Sequence, residues 1–261
     1  MHDLLNIAYI QPDIKWLDID GNLRQYDEML QEATGADIIV FPEMFATGFT
    51  NNTDATAQEM NGQIADWMRL QAGKYKALIV GSQLITDNGK CYNRMLFAYP
   101  DGKIDWYDKH HLFRMGLEDE TISPGIENKT FCHKGWRIRP IVCYDLRFPV
   151  WIRNTNYEYD LLLCIANWPT SRHNAFDTLL KARAIENQCY AIGVNRIGKD
   201  GNGIEYAGGS AVIDIYGNVI SQLPYDKACV GKATLSLAKL NAFRDNFPAN
   251  LDADKFYIER R

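Results

Sequence analysis

A chain of 261 residues, 46% hydrophobic and 23% charged, is long enough to bury a large core, since the buried fraction climbs to roughly 75% near 300 residues. Its formal net charge of −5, with acids and bases mixed along the chain, argues against a nucleic-acid grip, which needs concentrated Lys and Arg. Apolar runs such as "LLLCIA" (161–166) fall far short of the ~20 residues a membrane helix requires, and "MHDLLNIAYIQPDIKW" lacks the basic-then-apolar pattern of a signal peptide.

In chain order, "LLNIAYIQ" (4–11) reads as a strand, and residues 21–34 place Leu23, Tyr26, Met29 and Leu30 on one helical face. Gly35 fits a helix stop, and "ADIIVFPE" follows as a buried strand. Residues 54–74 carry a second helical stripe of Met60, Ile64, Trp67 and Met68 before the strand "ALIVGSQLI" (77–85). "NRMLFAY" and "KIDWYDK" flank the turn Pro100-Asp101-Gly102 as a hairpin. A polar loop (114–128) leads to the strand "WRIRPIVC" and a helix over about 147–155. The strand "DLLLCIANW", a helix at 174–188, "CYAIGVNRIG", the hairpin "SAVIDIYGNVISQL" and "CVGKATLSL" complete the pattern. The tail, 240–261, is polar and aromatic-rich and reads as an arm extended over a neighbour. Alternating strands and helices imply an α/β fold, and the two hairpins add antiparallel pairs, so the sheets are expected to be mixed. No repeat or linker divides the chain, which reads as one domain over residues 1–261.

The six cysteines are scattered, with no C-x-x-C pair, which suits free thiols in a reducing, cytoplasmic setting better than a disulfide framework. His110, His111 and the Cys132-His133 pair fit no zinc spacing, so no metal is expected.

Three strand-like runs end in reactive groups: Glu43, Lys109 and Cys143. Groups at the carboxyl ends of strands converge in open α/β sheets, however distant in sequence. Cys143 is either a small buried hydrophobe or a nucleophile at the mouth of a sheet, where a following helix would favour its thiolate and the Tyr144 amide would face an oxyanion. Glu43 is either a strand-end carboxylate facing water or a buried general base, costly to leave unpaired. Lys109 is either a surface lysine beside Asp108 or a partner of Glu43 and an oxyanion. A histidine base for the thiol is a further alternative, with His110, His111, His133 and His173 available. Asp145 and Arg147 read as a local pair capping the next helix, and Arg183, Glu186 and Asn187 as a structural network. Asn167 and Trp168 end another strand, either lining a pocket or packing in the core.

Taken in order, "FPEMFATGF", "NRMLFAYPDGKIDWYDKHHLF", "SPG" (123–125), "IVCYDLRFPVW", "ANWP", "ARAIENQ" and "GGSAVID" resemble the nitrilase superfamily, the carbon–nitrogen hydrolases. The resemblance covers nearly the whole chain. It implies a single-domain α-β-β-α sandwich, two mixed sheets flanked by helices, that forms a homodimer in which the 240–261 tail packs at the interface. It also implies a Glu-Lys-Cys triad: Glu43 as general base, Lys109 as oxyanion stabiliser and Cys143 as nucleophile. A second, accessory catalytic glutamate before the "SPG" loop is also implied; Glu118 matches its spacing best, with Glu120 close by. "CYDLRFPVW" and "DKHHLF" are similar to the omega-amidase branch, which implies hydrolysis of small 2-oxo acid amides without a cofactor. A substrate carboxylate calls for an arginine, and Arg172 after "NWPTS" is the candidate. Aliphatic amidases and N-carbamoyl hydrolases are the rivals within the superfamily, and a non-catalytic scaffold is the rival outside enzymology.

Overall fold

The computed structural model describes residues 3–259, so the last two residues of the 240–261 tail lie outside the described residues. The first sheet is built from β1 (Leu4–Gln11), β2 (Ile38–Val40), β3 (Leu78–Asp87), β4 (Lys90–Ala98) and β5 (Ile104–Asp108). The second half of the chain supplies β6 (Phe131–His133), β7 (Trp136–Val142), β8 (Leu161–Ile165), β9 (Tyr190–Val194), β10 (Ile197–Lys199), β11 (Glu205–Ala207), β12 (Ala211–Ile213), β13 (Val219–Gln222) and β14 (Cys229–Ser236). Strand order is β14-β1-β2-β3-β4-β5 in one six-stranded sheet and β13-β12-β9-β8-β7-β6 in the other, while β10 and β11 form a small ribbon. Each sheet has a parallel centre, β1-β2-β3 or β7-β8-β9, flanked by antiparallel strands. Both are therefore mixed, as the sequence predicts.

The period-two alternation of strand side chains explains the layering. Ile7, Tyr9, Ile38, Val40, Leu78, Val80, Met95 and Phe97 point into the core shared with the second sheet. Their neighbours Ala8, Ile10, Ile39, Ile79, Leu96 and Ala98 point the other way, onto Leu23 and Tyr26 of α1 (Ile19–Met29). The same outer layer includes a one-turn α2 (Thr53–Thr56) and α3 (Gln63–Tyr75), which adds Ile64, Trp67 and Met68. After the one-turn α4 (Glu118–Thr121), the second sheet is covered by Phe176, Leu180 and Ala184 of α5 (His173–Asn187) and by Leu237 and Leu240 of α6 (Leu237–Asn246). The result is an α-β-β-α sandwich. Among the described residues no helix is long and apolar enough to cross a membrane.

Three local expectations are corrected. The helix expected over 54–74 breaks between α2 and α3 because Gln58 pairs with the β3 edge, donating from its backbone N–H to Leu84 O and accepting from Thr86 N–H. The helix expected over 147–155 does not form: Cys143–Arg147 make a single 3₁₀ turn. Pro149 is the cause, since it lacks an N–H and disfavours helical geometry at Phe148, whose φ and ψ are −112° and 86°. The tail is not extended from 240 onward. Its first residues belong to α6, where buried Arg244 bonds Asp160 Oδ1 at 2.8 Å and the carbonyls of Gln188 and Tyr159. Only beyond the 3₁₀ turn Ala249–Asp252 does the tail run without regular structure, mostly exposed.

Candidate active site

The β2 strand ends at Val40 and delivers Glu43 three residues later, with Met44 in a left-handed conformation (φ 43°) turning the chain away. The β7 strand ends at Val142, and Cys143 itself takes φ 48°. Left-handed backbone at a non-glycine residue costs of order 1–3 kcal/mol and persists where its surroundings over-determine it. Here Asp145 does so: it accepts from Val142 N–H (3.0 Å), His111 N–H (2.8 Å), His111 Nδ1 (2.8 Å) and Tyr107 OH (2.9 Å). Burial would raise the Asp145 carboxyl, but the His111 ring and the amides of Val142 and His111 reverse this and hold it below the usual carboxylate range. Asp145 thus does not pair with Arg147, as expected from sequence. The Arg147 guanidinium instead lies 4.8 Å from the Trp168 ring centre. Strain at Cys143, clamped by Asp145, replaces the helix dipole expected there.

Lys109 follows β5 and is fully enclosed. Its Nζ lies 3.0 Å from Glu43 Oε1 and 2.9 Å from Glu118 Oε2, with both carboxylates also buried. Glu118 accepts from the Phe113 amide at 2.7 Å, whereas Glu120 is on the surface, so the structure brings Glu118 and not Glu120 to the lysine. Glu43 Oε2 accepts from Asn167 N–H at 2.8 Å, and the Asn167 side chain returns to Glu43 O at 2.5 Å. Burial alone would lower the Lys109 ammonium; Glu118, Glu43 and Cys143 more than offset it, so the lysine stays charged well beyond its ordinary range. The Cys143 thiol moves far upward, chiefly through burial and then through the charge of Glu43, with Lys109 opposing. At rest it is a thiol beside a carboxylate.

The "SPG" loop closes over this lysine. Gly125 N–H donates to Lys109 O at 2.8 Å, and a Cβ on Gly125 would sit 2.0 Å from Asp108 O, so only glycine fits.

Cys143 and Lys109 open into a cavity of about 520 Å³, walled by Phe49, Phe113, Tyr144, Trp168 and Tyr206, and including Asn167, Arg147 and Arg172. Lys109, Cys143, Tyr144, Asn167, Trp168 and Arg172 line it, and Glu43 and Glu118 lie directly behind it against Lys109. Asn167 has a double position, lining the cavity and holding Glu43. Trp168 packs against Phe176 and donates from Nε1 to Arg172 O at 2.8 Å. Neither Arg147 nor Arg172 has a carboxylate partner among the described residues. None of the four candidate histidines lines the cavity. His110 stacks on Trp151 at 3.6 Å, His111 binds Asp145, His133 reaches Asp37 O, and His173 pairs with Asp177 at 3.1 Å. Arg183, Glu186 and Asn187 form the structural network expected, with Arg183 donating to Leu146 O and pairing with Glu186 at 3.0 Å.

Sequence reasoning missed two residues here. Arg147 was assigned to Asp145 because they are two apart. Asn93 carries no chemical signature of its own, yet hairpin register reveals it. Ala98 pairs with Ile104 across the Pro100-Asp101-Gly102 turn, so Arg94 meets Asp108 and Asn93 comes opposite Lys109.

The carbon–nitrogen hydrolase family model matches residues 6–245. The chain is similar to the omega-amidase YafV of Yersinia enterocolitica, 45% identical across 97% of this chain and 98% of that one. It is also similar to a 2-oxoglutaramate amidase of Bacillus subtilis, 33% identical across 95% and 97% of the two chains. Among solved structures, XC1258 from Xanthomonas campestris, a CN-hydrolase superfamily protein with an arsenic adduct in its active site, superposes with a TM-score of 0.95 at 42% identity, covering 99% of this chain and all of that one. Fold, motif order and these likenesses agree: the chain belongs to the carbon–nitrogen hydrolases of the nitrilase superfamily, in the omega-amidase-like branch.

Proposed function

We propose that the protein hydrolyses the terminal amide of small 2-oxo acid amides, such as 2-oxoglutaramate and 2-oxosuccinamate, giving the 2-oxo dicarboxylate and ammonia. The observation that carries this reading is the cavity itself: a thiol and a buried ammonium on its lining, a buried carboxylate behind the ammonium, and two guanidiniums on its wall without a carboxylate partner among the described residues. The named relatives support the same substrate class.

The chemistry follows from the positions. Glu43 accepts the Cys143 proton as sulfur attacks the amide carbonyl, because the thiol is too weakly acidic to ionise unaided. The Lys109 ammonium and the Tyr144 amide stabilise the developing oxyanion. Collapse of the tetrahedral adduct breaks the carbon–nitrogen bond, and Glu43 returns the proton to the departing ammonia. Water, deprotonated by Glu43 and positioned by Glu118, then attacks the thioester; the carbon–sulfur bond breaks, the acid leaves, and Glu43 returns the proton to the Cys143 sulfur. Asn167 and Trp168 shape the substrate space, and Arg147 or Arg172 receives the 2-oxo carboxylate. Side chains handle every proton and charge, so the scheme calls for no metal or organic cofactor. We extend the proposal to a cytoplasmic homodimer that takes neither nucleic acid nor membrane as partner. The free thiols suit a reducing compartment, and Phe247, Leu251 and Tyr257 leave an exposed apolar tail for a second copy.

Ammonia release from 2-oxoglutaramate, L-glutamine, propionamide and an N-carbamoyl amino acid tests the reading. Wild-type protein is expected to prefer the oxo-amide, and Cys143→Ala to abolish turnover. Arg147→Gln or Arg172→Gln should raise KM for 2-oxoglutaramate by about 10-fold or more, the worth of one hydrogen bond to a charged group, and leave propionamide unaffected. A folded wild type that favours propionamide or the carbamoyl compound, or that releases ammonia from none of the four, defeats the substrate assignment.

A further inference from the structure

We propose that Asn93 is a positioning residue that fixes the proton-accepting edge of Glu43 toward Cys143. This deepens the hydrolase reading above and rests on it. Asn93 lies on β4, fully buried, with its carbonyl accepting from Lys109 N–H at 3.0 Å. Its neighbour Arg94 faces the other way, forming a two-point pair with Asp108 at 2.6 and 3.0 Å. Strand alternation therefore aims Asn93 and Lys109 at the same buried carboxylates.

The Asn93 amide divides its two N–H donors between those carboxylates. Nδ2 is 2.8 Å from Glu43 Oε1 and 3.3 Å from Glu118 Oε1. Lys109 Nζ reaches the same two oxygens at 3.0 and 3.1 Å. A carboxylate offers about four acceptor directions. On Glu43, Lys109 and Asn93 occupy two at Oε1, and the Asn167 amide occupies one at Oε2. One direction remains to receive the proton of Cys143, whose Sγ at rest lies 3.8 Å from Asn167 O. Asn93 thus selects which lone pair meets the thiol.

The residue type fits that task. A second lysine would bring another full charge beside the base, an acid would repel it, and a hydroxyl has only one proton to give.

The test compares Asn93→Ala and the nearly isosteric Asn93→Asp with wild type. Four quantities are read: thermal midpoint, kcat, KM, and the pH profile of Cys143 alkylation by iodoacetamide. The charged or titratable groups facing the amide are Glu43 after β2, Glu118 on α4, Lys109 after β5 and Cys143 after β7. Removing an N–H donor disfavours a carboxylate's charged form, so the acid limb of the alkylation profile should move to higher pH in both variants, further in Asn93→Asp. kcat should fall about 10- to 100-fold with KM within a factor of two, as for a base held out of line. An unmoved acid limb in a folded variant overturns the proposal, as does failure of both variants to fold, which would assign Asn93 to structure. Alkylation needs no substrate, so it stays informative even if wild-type protein releases no ammonia and the hydrolase assignment itself fails.

Discussion

Replacing Glu43 by glutamine should lower kcat on 2-oxoglutaramate by about 10²- to 10⁴-fold, the usual worth of a positioned general base, with little change in KM. The substitution is nearly isosteric and leaves Lys109 paired with Glu118 at 2.9 Å, so the fold is expected to survive. What disappears is the proton acceptor. The thiol is pushed upward by burial and cannot supply its own thiolate near neutral pH. Among the described residues no histidine is placed to substitute, since the four candidates lie outside the cavity and are held elsewhere. Steady-state ammonia release on protein with a wild-type thermal midpoint decides the matter. Retention of a tenth or more of wild-type kcat would return the base role to another group.

Lys109→Met has a different signature: it should damage stability as well as catalysis. The ammonium is the cation shared by two fully buried carboxylates, Glu43 and Glu118. Removing one partner of a buried ion pair costs about 3–5 kcal/mol because charge is left behind without compensation. For a chain of this size that corresponds to a drop of roughly 6–20 °C in thermal midpoint, read by calorimetry. Activity should fall by a further ~10²–10³-fold at temperatures where the variant is folded, through loss of oxyanion stabilisation. The pH dependence follows from the sign of the shift. Lys109 titrates higher in the folded chain than in the unfolded one, because its two carboxylates outweigh burial. Its contribution is therefore complete below the ordinary lysine value of about 10.5 and declines only as pH rises beyond it. Wild-type protein should show no loss of stability from this group between pH 6 and 9. A Lys109→Met variant as stable as wild type would show that the carboxylates do not carry the charge assigned to them.

Glu43, Lys109 and Cys143 were legible because each terminates a strand-like run, and the carboxyl ends of strands are where α/β sheets place chemistry. Their roles came from the ordered family motifs, since a strand-end glutamate or lysine is ambiguous alone. Spacing before the "SPG" loop favoured Glu118, and burial separates it from Glu120 two residues later. The helix after Cys143 was misread because apolar residues around Trp151 and Ile152 mimic a helical face, while the chain leaves helical geometry at Phe148, just before Pro149. The Asp145–Arg147 pair failed because Asp145 already has four donors from three other residues, a long-range fact with no local trace. Asn88-Gly89 is a local signal left unread: both residues take positive φ, 50° and 73°, as the tight hairpin joining β3 to β4 needs.

The site is divided between the two halves of the sandwich. Glu43, Asn93 and Lys109 hang from the first sheet, Cys143 and Asn167 from the second, and the Asn167 amide closes on Glu43 across 124 positions of chain. Contacts of such separation are slow to form because the intervening loop must be closed before they stabilise anything. A refolding chain can therefore regain much of its strand and helix signal while holding a base without a nucleophile. Ammonia release then becomes a clock for the last docking event, returning with the slowest tertiary phase and never with secondary structure alone. Partly folded chains emerging from synthesis are therefore expected to release no ammonia until the two sheets meet.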